Sequence, residues 1–503
     1  MKKQKQLGLT QRIKRFTHYL WSLPLYVVLL PYTLFTRVWN YLLDFYMDPI
    51  AAFMFKMDLT NTNIMNALLT FDSPLDLDKL RGLVSSRMNR PPFQHKVRVT
   101  WYGWPYLVSN EELDLDEHIV HHKHDRNLKH SELEEKMAMH MNSPMNPEKQ
   151  LWKFIVHEYK DGKSFMVMRM HHCVADGMTS ATLLLNLCTL DEKATSLLEE
   201  LSSKYEESLK LRKRVPKPSV VEFIKKLYSS MLKISIMGLF REDHHVFSRG
   251  GDLFPYPFNF AASPIPCSLQ KIKNIALKFQ AAGTANRITV NDVLLAGISG
   301  AMHKYASEYG SLWERERLSR EESIGVRTIL TVSTASIRNH SQFILDSSKK
   351  LVSRMRLDVG SVFLDLPIST ADPKKRLMEI GNTTHKLLNT PEPLISKFFS
   401  SVMGSFPRNV TLDISTRIGD TSSTVLSNVM GPPCQIHMVG VPVTRIMYKL
   451  PPNLAMGVMI GFYSYNGDVT MTVGSFDNVV NDPRKLVRFF HEEIETLDKL
   501  TCA

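Results

Sequence analysis

The strongest constraint on the fold is a tight hairpin that leads directly into a polar turn and a helix. Residues 154–159 and 165–170 are mostly apolar runs typical of strands, and Asp161-Gly162 stands between them. An Asp-Gly pair favours a tight hairpin turn. The second strand runs into residues 171–177, with the sequence HHCVADG, and residues 178–187 have a helical pattern. The sequence therefore predicts a strand, a turn and a helix that hold these seven residues on rigid backbone.

This turn carries side chains that can do acid–base chemistry. A histidine at the end of a strand faces a cleft, and an imidazole that titrates near pH 6.5 can accept a proton from an alcohol at neutral pH. Asp176 lies four residues after His172 and is placed to brace the turn by a hydrogen bond or an ion pair. Gly177 permits a turn that a side chain would block.

The rest of the chain alternates between helical and strand patterns. Its 503 residues allow two or three domains, and two α/β units joined by a charged crossover are the simplest arrangement. We predict helices near residues 74–88, 291–309 and 482–500, and strands near 93–108, 328–332, 455–463 and 468–473. The predicted divisions are a basic tail with a membrane-anchoring segment at 1–50, a first domain at 51–190, a linker at 191–253 and a second domain at 254–503.

The linker changes character along its length. Residues 192–214 are rich in Glu, Lys and Ser, whereas residues 220–240 place apolar side chains at helical spacing beside several lysines. This second part is predicted to be an amphipathic helix, which either packs on the second domain or contacts a membrane.

The amino terminus concentrates positive charge ahead of an apolar segment. The chain has a net charge of +12, and residues 1–15 hold six basic and no acidic side chains. Residues 16–36 contain no Asp, Glu, Lys or Arg and are about long enough to span a bilayer. Pro24 and Pro31 interrupt the segment, so a spanning helix, a re-entrant or interfacial helix and a buried core helix remain alternatives. Five scattered cysteines without CxxC spacing fit reduced thiols on the cytosolic side, which favours the re-entrant form.

Three blocks of sequence now point to a known family. The HHCVADG turn resembles the HHxxxDG signature of CoA-dependent acyltransferases, and its surroundings are similar to those in the bifunctional wax ester synthase/diacylglycerol acyltransferase family. Residues 289–296 (TVNDVLLA) resemble the NDV block of that family, and residues 427–432 (SNVMGP) resemble its SNVPGP block. Leu151-Trp152 is similar to its PLW motif. Gln150 and Met430 each replace a proline of these motifs, which alters local loop shape.

The resemblance implies a fold and roles for individual residues. The fold is expected to be two chloramphenicol acetyltransferase-like α/β domains joined by a crossover linker, preceded here by an amino-terminal membrane helix. His172 is expected to act as the general base, with His171 beside it and Asp176 as a structural brace. Further residues expected near the site, as substrate contacts or structural supports, are Gly177, Asn291, Asp292, Asn428 and His118.

The implied activity is transfer of a long-chain acyl group from acyl-CoA to a fatty alcohol or to diacylglycerol. His172 would take the hydroxyl proton directly, so no covalent acyl-enzyme is expected. Acyl-CoA is expected as a co-substrate with no bound cofactor. The expected location is a membrane, the endoplasmic reticulum first, with the plasma membrane and lipid droplets as alternatives. The motifs give no support to nucleic acid as a partner.

Other interpretations remain open at this point. The same fold could act on a different alcohol or on an amine, or the chain could bind acyl-CoA at a membrane without catalysis. A histidine-rich tract invites a metal site, but such a tract is more often a polar strand and loop, and no metal is expected. Its members are His118, His121, His122, His124 and His130.

Overall fold

The protein is described here from a computed structural model. The described residues are 47–58, 63–89, 93–109, 113–189, 220–237, 244–249, 256–281, 287–334, 357–388, 390–419, 421–453 and 456–500, with single residues 31, 35, 38, 39, 196, 200 and 203. The predicted membrane segment 16–36 lies outside them, apart from Pro31 and Phe35. Within the described part of the chain, none of the helices has the length and apolar character needed to cross a membrane.

The regular elements alternate along the described chain, as the sequence predicts. The strands are β1 (Ile64–Phe71), β2 (His95–Val99), β3 (Pro105–Ser109), β4 (Ile119–His124), β5 (Trp152–Tyr159), β6 (Ser164–His171), β7 (Phe258–Ala262), β8 (Cys267–Ser268), β9 (Val326–Ser333), β10 (Val359–Leu366), β11 (Thr424–Met430), β12 (His437–Met438), β13 (Val441–Pro442), β14 (Arg445–Lys449), β15 (Val458–Tyr465) and β16 (Asp468–Phe476). The helices are α1 (Pro49–Lys56), α2 (Leu77–Met88), α3 (Leu115–His118), α4 (His130–Met141), α5 (Gly177–Leu187), α6 (Val220–Met237), α7 (Leu269–Ala281), α8 (Val290–Tyr309), α9 (Leu312–Ser319), α10 (Pro373–Leu388), α11 (Glu392–Met403), α12 (Arg408–Gly419) and α13 (Arg484–Leu500).

Two mixed sheets organise these elements. The first has the strand order β14-β1-β6-β5-β4, and the second has the order β10-β9-β11-β15-β16-β7, with β8 paired to β16. The predicted hairpin is present as β5 and β6, and Gly162 in its turn has a φ of +80° that favours glycine. Every residue of β6 is buried, which explains its mostly apolar sequence.

The first sheet is completed by a strand from the carboxyl-terminal part of the chain. β14 pairs with β1 in antiparallel register, Asn66 opposite Lys449 and Leu68 opposite Met447. This pairing was not anticipated from the sequence, because β14 is short and far from its partner along the chain. It ties the predicted second domain to the first through backbone hydrogen bonds.

Further contacts join the two halves near the site. Lys56 at the end of α1 is buried, and its Nζ donates to the carbonyl oxygens of Gly404 (2.7 Å) and Phe406 (2.8 Å), just beyond α11. Burial lowers the pKa of Lys56 to about 7. Asn142 at the end of α4 exchanges two hydrogen bonds of 3.0 Å with the backbone of Phe258 in β7. The site described below therefore lies between two halves of the chain that are joined by several separate hydrogen-bonded contacts.

A substitution at Gly300 in α8 tests how tightly the carboxyl-terminal half of the protein is packed. A Cβ at this position would lie 2.3 Å from Nη1 of Arg376 and 2.4 Å from Cδ of Glu493, a buried ion pair. Gly300→Ala is expected to push the pair apart and to lower the free energy of unfolding by about 2–4 kcal/mol. Thermal unfolding by circular dichroism measures the effect.

Gly82→Ala is the matched control, because a Cβ at Gly82 in α2 meets no atom within 4 Å. Alanine is the better helix former, so this change is expected to raise stability by up to about 1 kcal/mol. Equal melting temperatures for the Gly300 variant and the unsubstituted protein would contradict the packing described.

Candidate active site

The HHxxxDG turn is fixed at its start by backbone hydrogen bonds. β6 ends at His171, whose N–H donates to the carbonyl of Leu151 over 2.9 Å, and the N–H of His172 donates to the carbonyl of Asn63 over 2.8 Å. The turn closes when the N–H of Val174 donates back to the carbonyl of His171. The two histidines are therefore held by the neighbouring chain on both sides of β6.

His171 is a buried residue held by an acidic partner. Its Nε2 lies 3.0 Å from Oδ2 of Asp58, and its Nδ1 lies 3.0 Å from Sγ of Cys173. Burial alone would lower the pKa of His171, but Cys173 and Asp58 together raise it to about 10. The backbone nitrogen of Cys173 also lies 3.1 Å from Nδ1. In the neutral and in the charged form alike, Nε2 keeps the hydrogen that it donates to Asp58.

His172 has a different environment from its neighbour. Its ring lies deep in the protein but remains partly accessible, because it forms part of the wall of a cavity that is open to the surface on one side. Burial lowers the pKa of His172, and the charge of His171 lowers it further, against the opposing effects of its own backbone carbonyl and of Asp176. Nδ1 is buried and has no hydrogen-bond partner from another residue in the described part of the chain. His172 is therefore a neutral imidazole at pH 7.

The cavity that reaches His172 is mainly apolar. It has a volume of about 240 Å³ and lies among α1, β9, β10, α11, α12 and β15. The apolar lining comes from Phe53, Met54, Met57, Ile329, Val359, Phe363, Phe399, Met403, Leu412, Ile418, Val425, Leu450, Pro451, Pro452, Met456 and Met459. An apolar chamber with one neutral imidazole in its wall suits a hydrocarbon chain whose polar end reacts at that imidazole.

Asp176 connects the turn to the second half of the protein. It is the N-cap of α5, where one carboxylate oxygen accepts from the N–H of Thr179 over 2.7 Å. The other oxygen accepts from the N–H of Asp358, just before β10, over 3.0 Å. Gly177 follows at the first helical position, where a Cβ would lie 2.9 Å from the hydroxyl of Tyr448. Both residues thus have packing roles next to His172.

Asn291, Asp292 and Asn428 form contacts away from the cavity lining. The side-chain amide of Asn428 in β11 donates to Oδ1 of Asn291 in the first turn of α8. Asp292 is buried, where it completes the capping box with Thr289 and accepts from the hydroxyl of Thr384 over 2.6 Å. Along β11 the side chains alternate, so Val425 reaches the cavity and Asn428 lies on the opposite face. None of these three residues contributes to the described cavity wall.

His118 is enclosed beside the first sheet. Its Nδ1 bonds the carbonyl of Trp152 at 2.7 Å, its Nε2 lies 3.1 Å from Oε1 of Gln150, and its ring stacks on Trp152. His118 is also absent from the cavity lining. Its observed contacts are those of a packed core histidine.

The sequence analysis missed Asp58 and Asn63, which the structure brings next to the histidines. Asp58 follows α1, accepts from the N–H of Asn63 over 2.8 Å and holds His171, and both residues line the cavity. A lone acidic residue more than 100 positions before the motif has no distinguishing spacing. Only the pairing of β1 with β6 brings it to the site.

Two histidines of the tract, His122 and His124, form a cluster with His140 and His157. Nδ1 of His157 lies 3.0 Å from Nε2 of His124, and its Nε2 lies 3.2 Å from Nε2 of His140. The ring of His122 stacks on His157. Burial lowers the pKa of His140 to about 3 and that of His157 to about 2. Among the described residues, no group of His, Cys, Asp or Glu is arranged to hold a metal ion.

Comparison with known proteins agrees with the geometry. The two-sheet α/β fold, with the HHxxxDG turn at the end of β6, is the fold of the solved wax ester synthase and condensation-domain structures described below. The family model of the wax ester synthase/diacylglycerol acyltransferase catalytic domain matches residues 47–238, and the model of the WS/DGAT C-terminal domain matches residues 358–498. The chain therefore belongs to the wax ester synthase/diacylglycerol acyltransferase family, an enzyme family, as its motifs predict.

Individual relatives support the same conclusion. The chain is 22% identical to wax ester synthase/diacylglycerol acyltransferase 4 of Arabidopsis thaliana, over 89% of this chain and 88% of that protein. It is also 22% identical to the O-acyltransferase WSD of Acinetobacter baylyi, over 69% and 72% of the two chains.

Solved structures confirm the predicted fold class. The wax ester synthase/diacylglycerol acyltransferase from Marinobacter aquaeolei VT8 superposes with a TM-score of 0.56 at 13% identity, over 90% of this chain and 98% of that one. The first condensation domain of the calcium-dependent antibiotic synthetase superposes with a TM-score of 0.54 at 13% identity, over 90% and 95%.

Asp176→Ala tests the brace at the turn. The substitution removes the cap of α5 and the bond to Asp358, so we expect a loss of about 2–3 kcal/mol of stability and a fall in activity. Thermal unfolding and an acyl-transfer assay measure the two effects. Asp76→Ala removes only the N-cap of α2, where Asp76 accepts from the N–H of Lys79. It should cost about 1 kcal/mol and leave activity unchanged. If both variants kept full activity, the brace would have no part in positioning the turn.

The histidine cluster predicts acid-sensitive stability. The unfolded chain binds a proton at each histidine near pH 6.5, whereas folded His140 and His157 do so only near pH 3 and pH 2. Their contribution to the free energy of unfolding is therefore complete above pH 6.5. It decreases at lower pH, by up to about 1.4 kcal/mol per pH unit for each residue. Denaturant unfolding between pH 7.5 and pH 5 should show a smaller loss for the double variant His140→Leu/His157→Phe. The same loss in both proteins would contradict the prediction.

Proposed function

We propose that the protein transfers a long-chain acyl group from acyl-CoA to a fatty alcohol or to diacylglycerol, forming wax ester or triacylglycerol. The observation that carries this proposal is the position of His172, a neutral imidazole in the wall of an apolar cavity. Membership of the wax ester synthase/diacylglycerol acyltransferase family supports the same reaction.

His172 is the proposed general base. Because Nδ1 is enclosed by protein and finds no partner in another described residue, we assign the proton-accepting role to Nε2. Nε2 takes the hydroxyl proton of the acceptor while the oxygen attacks the thioester carbonyl. The tetrahedral intermediate then expels the CoA thiolate, which recovers the proton from His172. The acyl group moves directly from sulfur to oxygen.

His171 and Asp58 are proposed to position this base rather than to exchange protons with substrate. The hydrogen bond from His171 Nε2 to Asp58 fixes the residue that immediately precedes His172. A proton held on His171 also disfavours a second charge on His172, which keeps the base neutral. Asn291 is proposed to have a structural role through Asn428, since neither residue lines the cavity.

The substrates define the remaining proposals. Acyl-CoA serves as co-substrate without any bound cofactor, and the acceptors dissolve in membranes rather than in water. We therefore propose a membrane location, with the endoplasmic reticulum first, supported by the basic and apolar composition of residues 1–36. Nucleic acid is not a proposed partner.

His172→Ala tests the proposal in cells that lack neutral-lipid synthesis and are supplied with hexadecanol or diacylglycerol. We expect neutral lipid from the unsubstituted chain and a loss of about 10²–10⁴-fold for the variant, because the base is gone. His121→Ala is the matched control, since His121 pairs with Glu158 outside the cavity lining. Equal neutral lipid from His172→Ala and the control would remove His172 from the reaction.

Competition between the two acceptors, measured with labelled palmitoyl-CoA and purified protein, gives the preference between wax ester and triacylglycerol. If product formed only with a different alcohol or with an amine, that compound would be the acceptor instead. Tight binding of acyl-CoA without product on any acceptor would assign a binding protein instead.

A further inference from the structure

Helix α6 presents an apolar stripe to the outside of the protein. Val221, Ile224, Tyr228 and Leu232 are between 46% and 68% exposed, although most side chains of these types are buried in folded proteins. Their spacing of three, four and four residues places them on one face of the helix, over a length of about 16 Å. Lys225 is exposed within the same stripe.

Two polar side chains of α6 face the rest of the protein. Ser230 is buried, and Nζ of Lys233 bonds the carboxylate of Glu392 at 2.9 and 3.1 Å and the carbonyl of Phe363 at 3.2 Å. A helix on the surface of a water-soluble protein normally keeps large apolar side chains away from its outer face. The exposed stripe of α6 lies on the face opposite to Ser230 and Lys233 and departs from this rule.

Helix α11, which packs beside α6, extends the exposed apolar area towards the cavity. Leu394 and Phe398 on α11 are 62% and 66% exposed. The same helix contributes Phe399 to the cavity lining, and Phe399 is itself partly exposed. We call the six residues Val221, Ile224, Tyr228, Leu232, Leu394 and Phe398 the α6–α11 surface. Through α11 it adjoins the chamber that ends at His172.

We propose that the α6–α11 surface docks on a lipid bilayer and that the acceptor enters the cavity from the membrane past Phe399. A contiguous exposed apolar area marks an interaction site. Lys225, which is exposed within the stripe, favours an anionic lipid surface over a neutral partner, whereas Lys226 is paired with Glu222 over 2.9 Å. The entry route rests on the function proposed above, whereas the docking itself does not depend on it.

Hydrogen exchange of the full chain, with and without vesicles of phosphatidylcholine and phosphatidylserine, tests the docking. Amide exchange in peptides from α6 and α11 should slow on vesicles, while peptides from α7 should be unchanged. If the chain bound vesicles without any slowing in α6, another segment would hold it there and the proposal would be wrong.

A variant set tests the entry route. Ile224→Gln, Tyr228→Gln, Leu232→Gln and Phe398→Gln are combined, because glutamine removes the apolar groups and remains a good helix former. Ile265→Gln, Leu277→Gln and Leu312→Gln form the control, since these apolar residues are also exposed but lie outside α6 and α11. Transfer from acyl-CoA is measured to diacylglycerol in anionic vesicles and to a short, soluble alcohol.

We expect the transfer rate of the α6–α11 variant to fall at least tenfold with vesicles and to stay unchanged with the soluble alcohol. The control variant should keep both rates. Unchanged rates with vesicles would overturn the proposal. So would a change from dimer to monomer in gel filtration with unchanged vesicle rates, because the surface would then join two copies of the chain. Inactivity of the unsubstituted protein on both acceptors, with α6 still protected by vesicles, would contradict only the proposed reaction.

Discussion

The arrangement of the site depends on the two oxygens of one buried carboxylate. Asp176 caps α5 with one oxygen and accepts the N–H of Asp358 with the other, so the turn that carries His172 is bonded to both halves of the protein. A side chain with a single acceptor could satisfy one of these N–H groups and would leave the other unpaired in a buried place. β14 in the first sheet and Lys56 at the end of α1, which bonds the carbonyl of Gly404 just beyond α11, hold the same halves together. The cavity exists because these contacts fix the walls on either side of it.

Two adjacent histidines acquire opposite properties from their surroundings. His171 is enclosed against Asp58 and Cys173, which raise its pKa, whereas His172 faces an apolar chamber that lowers its pKa. One ring is thus a fixed hydrogen-bond donor and the other is a neutral base. The residue type alone, histidine at both positions, does not predict this difference. The same apolar environment that keeps His172 neutral also accommodates a hydrocarbon chain.

Much of the local structure could be predicted from the sequence. The Asp161-Gly162 hairpin, α5 and the pattern of two α/β units follow from short-range periodicity and turn chemistry, and the structure confirms them. The turn itself was recognised because its residues are contiguous. Asp58, Asn63 and the placement of β14 could not be predicted, because each depends on strand pairing over long distances in the chain. Asn291 and Asn428 were recognised from their motifs, and the two side chains do lie together. Their position relative to the cavity was not predicted, because alternation along β11 turns Asn428 away from it.

The central claim is that His172 acts as a base and that the acyl group passes directly from CoA to the acceptor. Intact-protein mass spectrometry tests it most directly, after incubation of the purified protein with palmitoyl-CoA and no acceptor. Direct transfer predicts that the mass of the protein stays unchanged and that labelled ester appears only when alcohol or diacylglycerol is added. A stable increase by one palmitoyl group that disappears on addition of acceptor would contradict the account. If that group were located on Cys173, the adjacent thiol would replace His172 as the group that attacks the thioester.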